Sequence, residues 1–142
     1  MWPARPDGAH YTRPAMSYTI RNLSATEDSA PKFGLAEVGE AHFPREELEA
    51  SSIGLAYHVL RPGRRQPFAH RHDAAEEIYV VLSGAGRMRL DDDIVDVGEL
   101  DAIRVAPSVA RAFEAGSEGL ELLVFGPRHE GDGELLRGFW NE

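Results

Sequence analysis

The chain has 142 residues, of which 42% are hydrophobic, and a formal net charge of −9 at pH 7. This length and composition suit one domain with one packed core. The acidic charge argues against nucleic acid and anionic membrane surfaces as partners, because both bind basic surfaces. The chain has no cysteine, which excludes disulfides and thiolate metal sites, and no apolar run approaches the roughly 20 residues that span a bilayer. We therefore expect a cytoplasmic protein without membrane contact.

The first 16 residues contain three prolines and a glycine but no hydrophobic periodicity. This pattern predicts a flexible extension over residues 1–16, with Met1 and Met16 as alternative starts of the native chain. Residues 17–142 then form a single domain. Within it, residues 18–21 are predicted as a short strand, and residues 43–48 as one helical turn that begins at a proline.

From residue 53 onward, short runs of β-branched and aromatic residues alternate with turn residues. The predicted strands are residues 53–60, 78–82, 87–90, 94–97, 102–105, 111–115 and 120–125, with turns at 83–86, 91–93, 98–99 and Gly116. Short strands at this spacing predict an all-β barrel or sandwich. Tyr57 and His58 alternate in the first of these strands, so at most one faces inward, and no motif selects His58. In the polar tail, Phe139 and Trp140 are expected to pack back on the barrel.

A histidine pair and a glutamate mark the most informative stretch. His70 and His72 are two residues apart, and side chains two apart on a strand point to the same face. Glu77 lies five residues further on, so residues 73–76 must turn a corner before Glu77 returns on a neighbouring strand to face the same point. Two imidazoles and one carboxylate arranged in this way suit a divalent transition metal with open coordination positions.

With these residues in view, the chain resembles the cupin family, and in particular the small single-domain bacterial cupins of the conserved-barrel type, a largely uncharacterised group. The first motif of that family is a glycine, several residues, His-x-His, three or four residues, a glutamate, six residues and a glycine. The matching residues are Gly63, His70, His72, Glu77 and Gly84.

The second motif of the family is only partly present. It begins at a glycine and runs through Pro-x-Gly to a histidine, and Gly98 and Pro107 match its first two features. Ser108 stands where the second glycine is expected, and Arg111 stands where the family has its fourth metal ligand. The resemblance covers residues 51–126 and places the core barrel there.

The resemblance implies a cupin-type β-barrel, a jelly roll or double-stranded β-helix of two antiparallel sheets with minor helical turns, which assembles as a homodimer. It also implies a site inside the barrel, where His70, His72 and Glu77 hold iron, manganese, nickel or zinc.

The arginine at position 111 leaves three alternatives open. A guanidinium stays protonated and has no lone pair to give, so Arg111 cannot replace a histidine ligand. In the first alternative, His70, His72 and Glu77 bind a metal and water completes its coordination. In the second, the site is metal-free and Arg111 neutralises Glu77. In the third, a metal is bound and Arg111 swings away or holds an anionic ligand such as a carboxylate or phosphate.

Four further residues are assigned to ligand binding. The alternation of the strand places Tyr79 on the same face as Glu77, so its hydroxyl is a candidate ligand contact, with core packing as the alternative. Met88 and Phe113 are expected to line the apolar wall of the cavity, and Arg111 to hold an anion. Glu76 rivals Glu77 in register, but the family spacing selects Glu77.

Three functions follow from these residues. The first is a barrel that binds a small organic ligand beside a metal and supports oxygenase, isomerase or lyase chemistry. The second is a metal-free, non-catalytic module that binds or senses a small ligand. The third is a structural dimer with a filled barrel, since fold alone does not fix function.

Overall fold

The protein is described here by a computed structural model that covers residues 11–12 and 18–140. These residues contain ten strands and two short 3-10 helices, Leu23–Ala25 and Ala30–Phe33. The strands are β1 Tyr11–Thr12, β2 Thr19–Ile20, β3 Gly39–His42, β4 Ile53–Leu60, β5 Phe68–His72, β6 Glu77–Leu90, β7 Asp93–Gly98, β8 Ala102–Val105, β9 Arg111–Pro127 and β10 Gly133–Arg137. The predicted all-β fold class is confirmed. Of the extension expected over residues 1–16, all but Tyr11–Thr12 lies outside the described residues, and the domain boundary stays a prediction.

One curled antiparallel sheet contains strands β3 to β10. Its two longest strands, β6 and β9, pair with each other along most of their length. From β9 the sheet continues on one side through β4 to β3 and on the other through β5 to β10, while β6 carries β7 and β8. Strands β1 and β2 form a separate two-stranded pair. This curling brings the ends of β5, β6 and β9 together.

Two predicted turns are wrong, because both lie inside long strands. Residues 83–86 belong to β6, which passes through them with two irregularities in its register against β9. The glycines allow close approach to the paired strand: a Cβ built on Gly84 would lie 2.1 Å from the carbonyl oxygen of Gly119, and one on Gly86 would lie 2.1 Å from that of Glu114. Gly116, expected to end a strand, likewise lies within β9. These glycines let the strands bend while they stay paired.

The C-terminal tail is more ordered than its polar sequence indicates. Strand β10 was not predicted, yet it pairs with β5 in antiparallel register, with Leu135 opposite His70 and Gly133 opposite His72. The expected packing of the aromatic end is confirmed: the indole Nε1 of Trp140 donates a hydrogen bond to the carbonyl of Gln66 at 2.8 Å. The tail therefore pairs with the edge of β5 that does not face β9, and β5 is the strand that carries the histidines.

The helical turn expected over residues 43–48 is present as a hydrogen-bonded turn, in which the Leu48 amide donates to the Pro44 carbonyl at 2.8 Å. None of the helical segments in the described part of the chain is long and apolar enough to cross a bilayer. The cytoplasmic location stays a prediction.

The hydrophobic core lies between the inward faces of β4, β6 and β9. Its fully buried members include Val81, Met88, Phe113 and Leu122, none of which is more than 1% exposed. The core extends to the candidate site, because its member Tyr79 contacts Glu77 at the start of β6.

Candidate functional site

The two histidines and the glutamate converge as the spacing predicts. His70 and His72 alternate with exposed Arg71 near the end of β5, and Glu77 is the first residue of β6. One ligand atom from each of the three lies within 4.8 Å of the other two. The Nε2 atoms of both histidines are 3.3 Å from Oε1 of Glu77, and the two rings stand almost perpendicular. The three donors could hold a metal ion.

The route of the chain between these residues differs in one respect from the expectation. Residues 73–76 do turn a corner, but β5 and β6 are not hydrogen-bonded neighbours, because both pair with β9 instead. Glu77 therefore reaches the histidines across the curl of the sheet. Glu76, its rival in register, points to solvent and forms an ion pair with Arg104 at 3.1 Å.

Asp132 fastens this corner from a distant part of the sequence. Its carboxylate accepts hydrogen bonds from the backbone amides of Asp73, Ala74 and Ala75 at 2.8, 2.9 and 2.9 Å. The Oδ2 atom, which accepts the hydrogen bond from Ala75, also lies 3.3 Å from Nδ1 of His72. Burial by itself would raise the pKa of Asp132, but the three backbone hydrogen bonds and His72 hold it below its usual range. No motif in the sequence marks this residue, which lies 57 to 59 residues after the amides that it binds.

The ring nitrogens of His72 provide a test of whether a metal fits. Both are buried and neither makes a hydrogen bond of good geometry, although each lies 3.3 Å from a carboxylate oxygen. Buried polar atoms are rarely left without a partner in folded proteins. A cation placed between Nε2 of His72, His70 and Glu77 would supply that partner, and Asp132 would hold the opposite nitrogen, as carboxylates do behind metal-bound histidines.

Arg111 occupies the position opposite His70, as its register partner at the start of β9. The side chain is 1% exposed. Its guanidinium donates hydrogen bonds to three main-chain carbonyl groups of the preceding turn, those of Ala106 at 3.4 Å, Pro107 at 3.1 Å and Val109 at 2.8 Å. Its Nη2 atom is also 3.6 Å from Oε1 of Glu77, which is beyond hydrogen-bond distance. The turn therefore anchors the guanidinium, and its charge acts on Glu77 from one side.

Tyr79 completes the surroundings of the glutamate. Its hydroxyl donates to Oε1 of Glu77 at 3.0 Å and lies 3.3 Å from Nε2 of His70. Burial and the charge of Glu77 raise the pKa of Tyr79 well above its usual value, so the phenol keeps its proton. Burial alone would raise the pKa of Glu77, but the hydrogen bond to His70 and the charges of His70, His72 and Arg111 lower it. Glu77 is therefore ionised and available as a ligand at neutral pH.

His58 is a second site residue, besides Asp132, that the sequence did not select. It shares the inward face of β4 with Ala56 and Leu60, both of which belong to the core. Its ring stands edge-on to Phe43 at a centroid distance of 5.7 Å, and its nitrogens have no hydrogen-bond partner within the described residues. Burial, followed by the charges of His70 and His42, lowers the pKa of His58 to about 4. A neutral imidazole therefore faces the cavity.

A cavity of about 600 Å³ adjoins the cluster. Its polar end is formed by His58, His70, His72 and Glu77. Apolar side chains make up most of the remaining wall, among them Val38, Ala41, Ala56, Leu60, Phe68 and Val124. The exposed side chains of Phe33, Phe43 and Leu135 surround its opening.

The four residues assigned to ligand binding do not line this cavity. Met88 and Phe113, expected in its wall, are instead packed inside the hydrophobic core. Some inward-facing strand positions line the cavity and others fill the core, and strand alternation alone does not distinguish the two. Tyr79 and Arg111 lie behind Glu77, which separates them from the open space. Direct contact of any of these four residues with a ligand stays a prediction.

Comparison with known proteins gives a matching family model. The model described as the cupin domain matches residues 56–126, which fall within the stretch that carries the sequence resemblance. An uncharacterized protein of Methanocaldococcus jannaschii is 31% identical over 81 residues, which are 55% of this chain. The match covers 65% of the length of that relative.

Solved structures of similar fold support the same grouping. A cupin protein from Bacteroides fragilis superposes with a TM-score of 0.64 at 22% identity, covering 81% of this chain and 87% of that one. The polyketide cyclase RemF from Streptomyces resistomycificus gives 0.61 at 21% identity and 75% coverage of both chains. Oxalate decarboxylase from Bacillus subtilis gives 0.67 at 22% identity, covering 91% of this chain and 34% of that one. At these identities the likeness shows the fold, and the predicted cupin-type barrel is confirmed.

Proposed function

The chain belongs to the cupin domain family, and from that premise we propose that it holds one divalent transition-metal ion beside a cavity for a small organic ligand. The ligands are His70, His72 and Glu77, and the ion is iron, manganese, nickel or zinc. The observation that carries the proposal is the convergence of these three donors within 4.8 Å at the polar end of a cavity of about 600 Å³. A metal bound there supplies Lewis-acid activation with open positions, suited to oxygenase, isomerase or lyase chemistry.

The surrounding side chains prepare these donors. Glu77 stays ionised because its pKa is lowered, and Tyr79 keeps its proton and donates it in a hydrogen bond to the same carboxylate. Asp132 orients His72 so that Nε2 points to the cluster. Arg111 offsets the charge of Glu77 without being a ligand. His58, neutral and unpaired, is placed to contact a molecule in the cavity.

One observation favours a second candidate, a metal-free binding module. The guanidinium of Arg111 already lies 3.6 Å from Glu77, so the carboxylate has a cationic neighbour without any metal. In this case the cavity binds its ligand without catalysis, and the histidines serve as hydrogen-bonding groups.

Metal titration separates the two candidates. Chelator-treated protein is titrated with Zn²⁺, Mn²⁺, Ni²⁺ and, without oxygen, Fe²⁺, and bound metal is counted after dialysis. We expect one ion per chain for at least one metal. His72→Ala should weaken binding by at least about 100-fold, since loss of a second-shell partner alone costs 10–100-fold.

The matched control is His129→Ala, because His129 also borders the cavity but is exposed and lies outside the cluster. It should bind metal like the unmodified protein. A chain that binds none of these metals at its cluster would leave the metal-free module as the function.

The homodimer implied by the family resemblance also remains a proposal. Phe125 lies between its register partners Leu55 and Ile78 on the face of the sheet that points away from the core, and all three are partly exposed. Such an apolar row supports self-association. Light scattering should give twice the mass of the chain, and a Phe125→Glu variant should give a monomer. A monomeric unmodified chain would remove the dimer from the proposal.

A further inference from the structure

We infer that the cavity selects a ligand with an apolar body of ring-system size and a single oxygen-bearing head group, in preference to sugars, sugar phosphates and two- or three-carbon acids. The position of the head group rests on the proposed function, because it lies at the His70–Glu77 end. The preference for an apolar body does not depend on a metal.

The distribution of polar groups within the cavity favours a ligand that is polar at one end only. The groups able to recognise a head group, His58, His70, His72 and Glu77, gather at one end. The wall beyond them is mostly apolar, and its other polar groups are the side chain of Gln66, the carboxylate of Asp132 beside His72, and the exposed His129 and charged residues at the rim. A ligand with hydroxyl groups along its length would lose its water there without gaining hydrogen bonds, which is costly. A ligand that is polar at one end only matches both parts of the wall.

The size of the cavity favours a ligand that is much larger than its head group. Its volume of about 600 Å³ falls within the range of roughly 300–1,000 Å³ that is typical of pockets for drug-sized molecules. A two-carbon acid coordinated at the polar end would leave most of this volume, and most of the apolar wall, without a contact. The wall therefore stabilises binding only when the ligand extends well beyond its head group.

The opening of the cavity is bordered by large, exposed apolar side chains. Phe33, Phe43 and Leu135 come from three separate segments, and they are 62%, 52% and 70% exposed. Single exposed apolar side chains are common on proteins, and Leu100, which is 77% exposed, is one that lies away from the cavity. Three large ones around a single opening are less usual and indicate an apolar ligand that reaches the rim.

The charges at the rim are balanced. Arg45 and Arg128 border the cavity, but so do Glu40 and Glu134. A phosphate group is normally held by an excess of cationic side chains or by backbone amides at a helix start. The rim offers no such excess, so the apolar body rather than a second charged group is what the outer part of the cavity recognises.

The test compares carboxylates that share a head group and differ in the body. Titration calorimetry is carried out with 2-naphthoate, acetate and glucose 6-phosphate, on chelator-treated protein and again after metal loading. We expect 2-naphthoate to bind at least roughly 100-fold more tightly than acetate in both forms, with a negative heat-capacity change. Equal or tighter binding of acetate or glucose 6-phosphate would overturn the inference. Failure of the metal proposal would instead appear as absent metal binding, with the preference for 2-naphthoate retained.

Substitutions at the rim locate the bound molecule. Leu135→Ser and Phe33→Ser should each weaken 2-naphthoate binding by roughly 3- to 10-fold, because each removes apolar contact area at the opening. Both residues are well exposed, so the fold should persist. Leu100→Ser is the matched control and should leave the affinity unchanged. An equal loss in Leu100→Ser, or no loss in either rim variant, would place 2-naphthoate outside the cavity and contradict the inference.

Discussion

The neutral imidazole of His58 makes a specific prediction about the pH dependence of stability. Burial and the charges of His70 and His42 lower the pKa of His58 from 6.5 to about 4 in the folded chain. Below pH 6.5 the unfolded chain takes up a proton that the folded chain refuses, so the free energy of unfolding falls as the pH is lowered from about 6.5 to about 4. A difference of this size corresponds to ~3 kcal/mol, most of which is lost by pH 4.5.

The window between pH 6.5 and 4.5 separates this effect from that of the carboxylates, and the comparison with a His58 variant separates it from that of the other histidines. The carboxylates with lowered pKa values, such as Glu77 and Glu114, stabilise the fold above their unfolded value of 4.5 and lose that contribution only at lower pH. The assay is urea unfolding of chelator-treated protein at several pH values. His58→Gln, which cannot take up the proton, should show a decline smaller by ~2–3 kcal/mol across this window.

His129→Gln is the control, because His129 is exposed at the rim of the cavity. It should retain the decline of the unmodified protein. Parallel profiles for His58→Gln and the unmodified chain between pH 6.5 and 4.5 would refute the placement of a half-buried, neutral imidazole on the inward face of β4.

Two further predictions concern Arg111 and the bulged strand. Arg111→His introduces the residue that the family has at this position. It should tighten metal binding by roughly 10-fold or more, because it adds an imidazole and removes a cation. Unchanged affinity in the metal titration would mean that position 111 does not face the metal. Gly86→Ala should lower the free energy of unfolding by about 1–3 kcal/mol or more, since the new Cβ would lie 2.1 Å from a carbonyl oxygen of β9. Gly98→Ala, where a Cβ meets nothing within 4 Å, is its control in the same urea assay, and similar losses in both would show that the close approach at Gly86 is absent.

The parts of the fold that depend on local pattern could be predicted from the sequence. Ile53–Leu60 and Ala102–Val105 have the bounds expected from their apolar alternation and flanking turn residues. The glycines at 84 and 86 could not be assigned in the same way. A glycine serves a turn or a close approach of two backbones equally well, and only the presence of β9 alongside distinguishes them.

The candidate site likewise contains residues that local spacing predicts and residues that it does not. The spacing of His70 and His72 fixes a shared face, so their convergence with Glu77 could be predicted. His58 and Asp132 could not, because one reaches the site from β4 and the other from the loop before β10, and neither lies in a motif. Their roles arise from the curl of the sheet, which pattern along the chain does not specify.

Arg111 is the residue on which the metal proposal depends most. Its hydrogen bonds to the carbonyls of the preceding turn hold the guanidinium in place, so a metal ion must bind Glu77 with this charge close by. The two imidazoles and the ionised carboxylate must together outweigh that repulsion.

A crystal structure of protein loaded with the metal that titration selects, with anomalous data collected at the absorption edge of that metal, tests this claim most directly. We expect one anomalous peak about 2.0–2.2 Å from Nε2 of His70, Nε2 of His72 and a carboxylate oxygen of Glu77, with Arg111 still hydrogen-bonded to its turn. A cluster without a peak, in which Glu77 has closed on the guanidinium of Arg111, would contradict it.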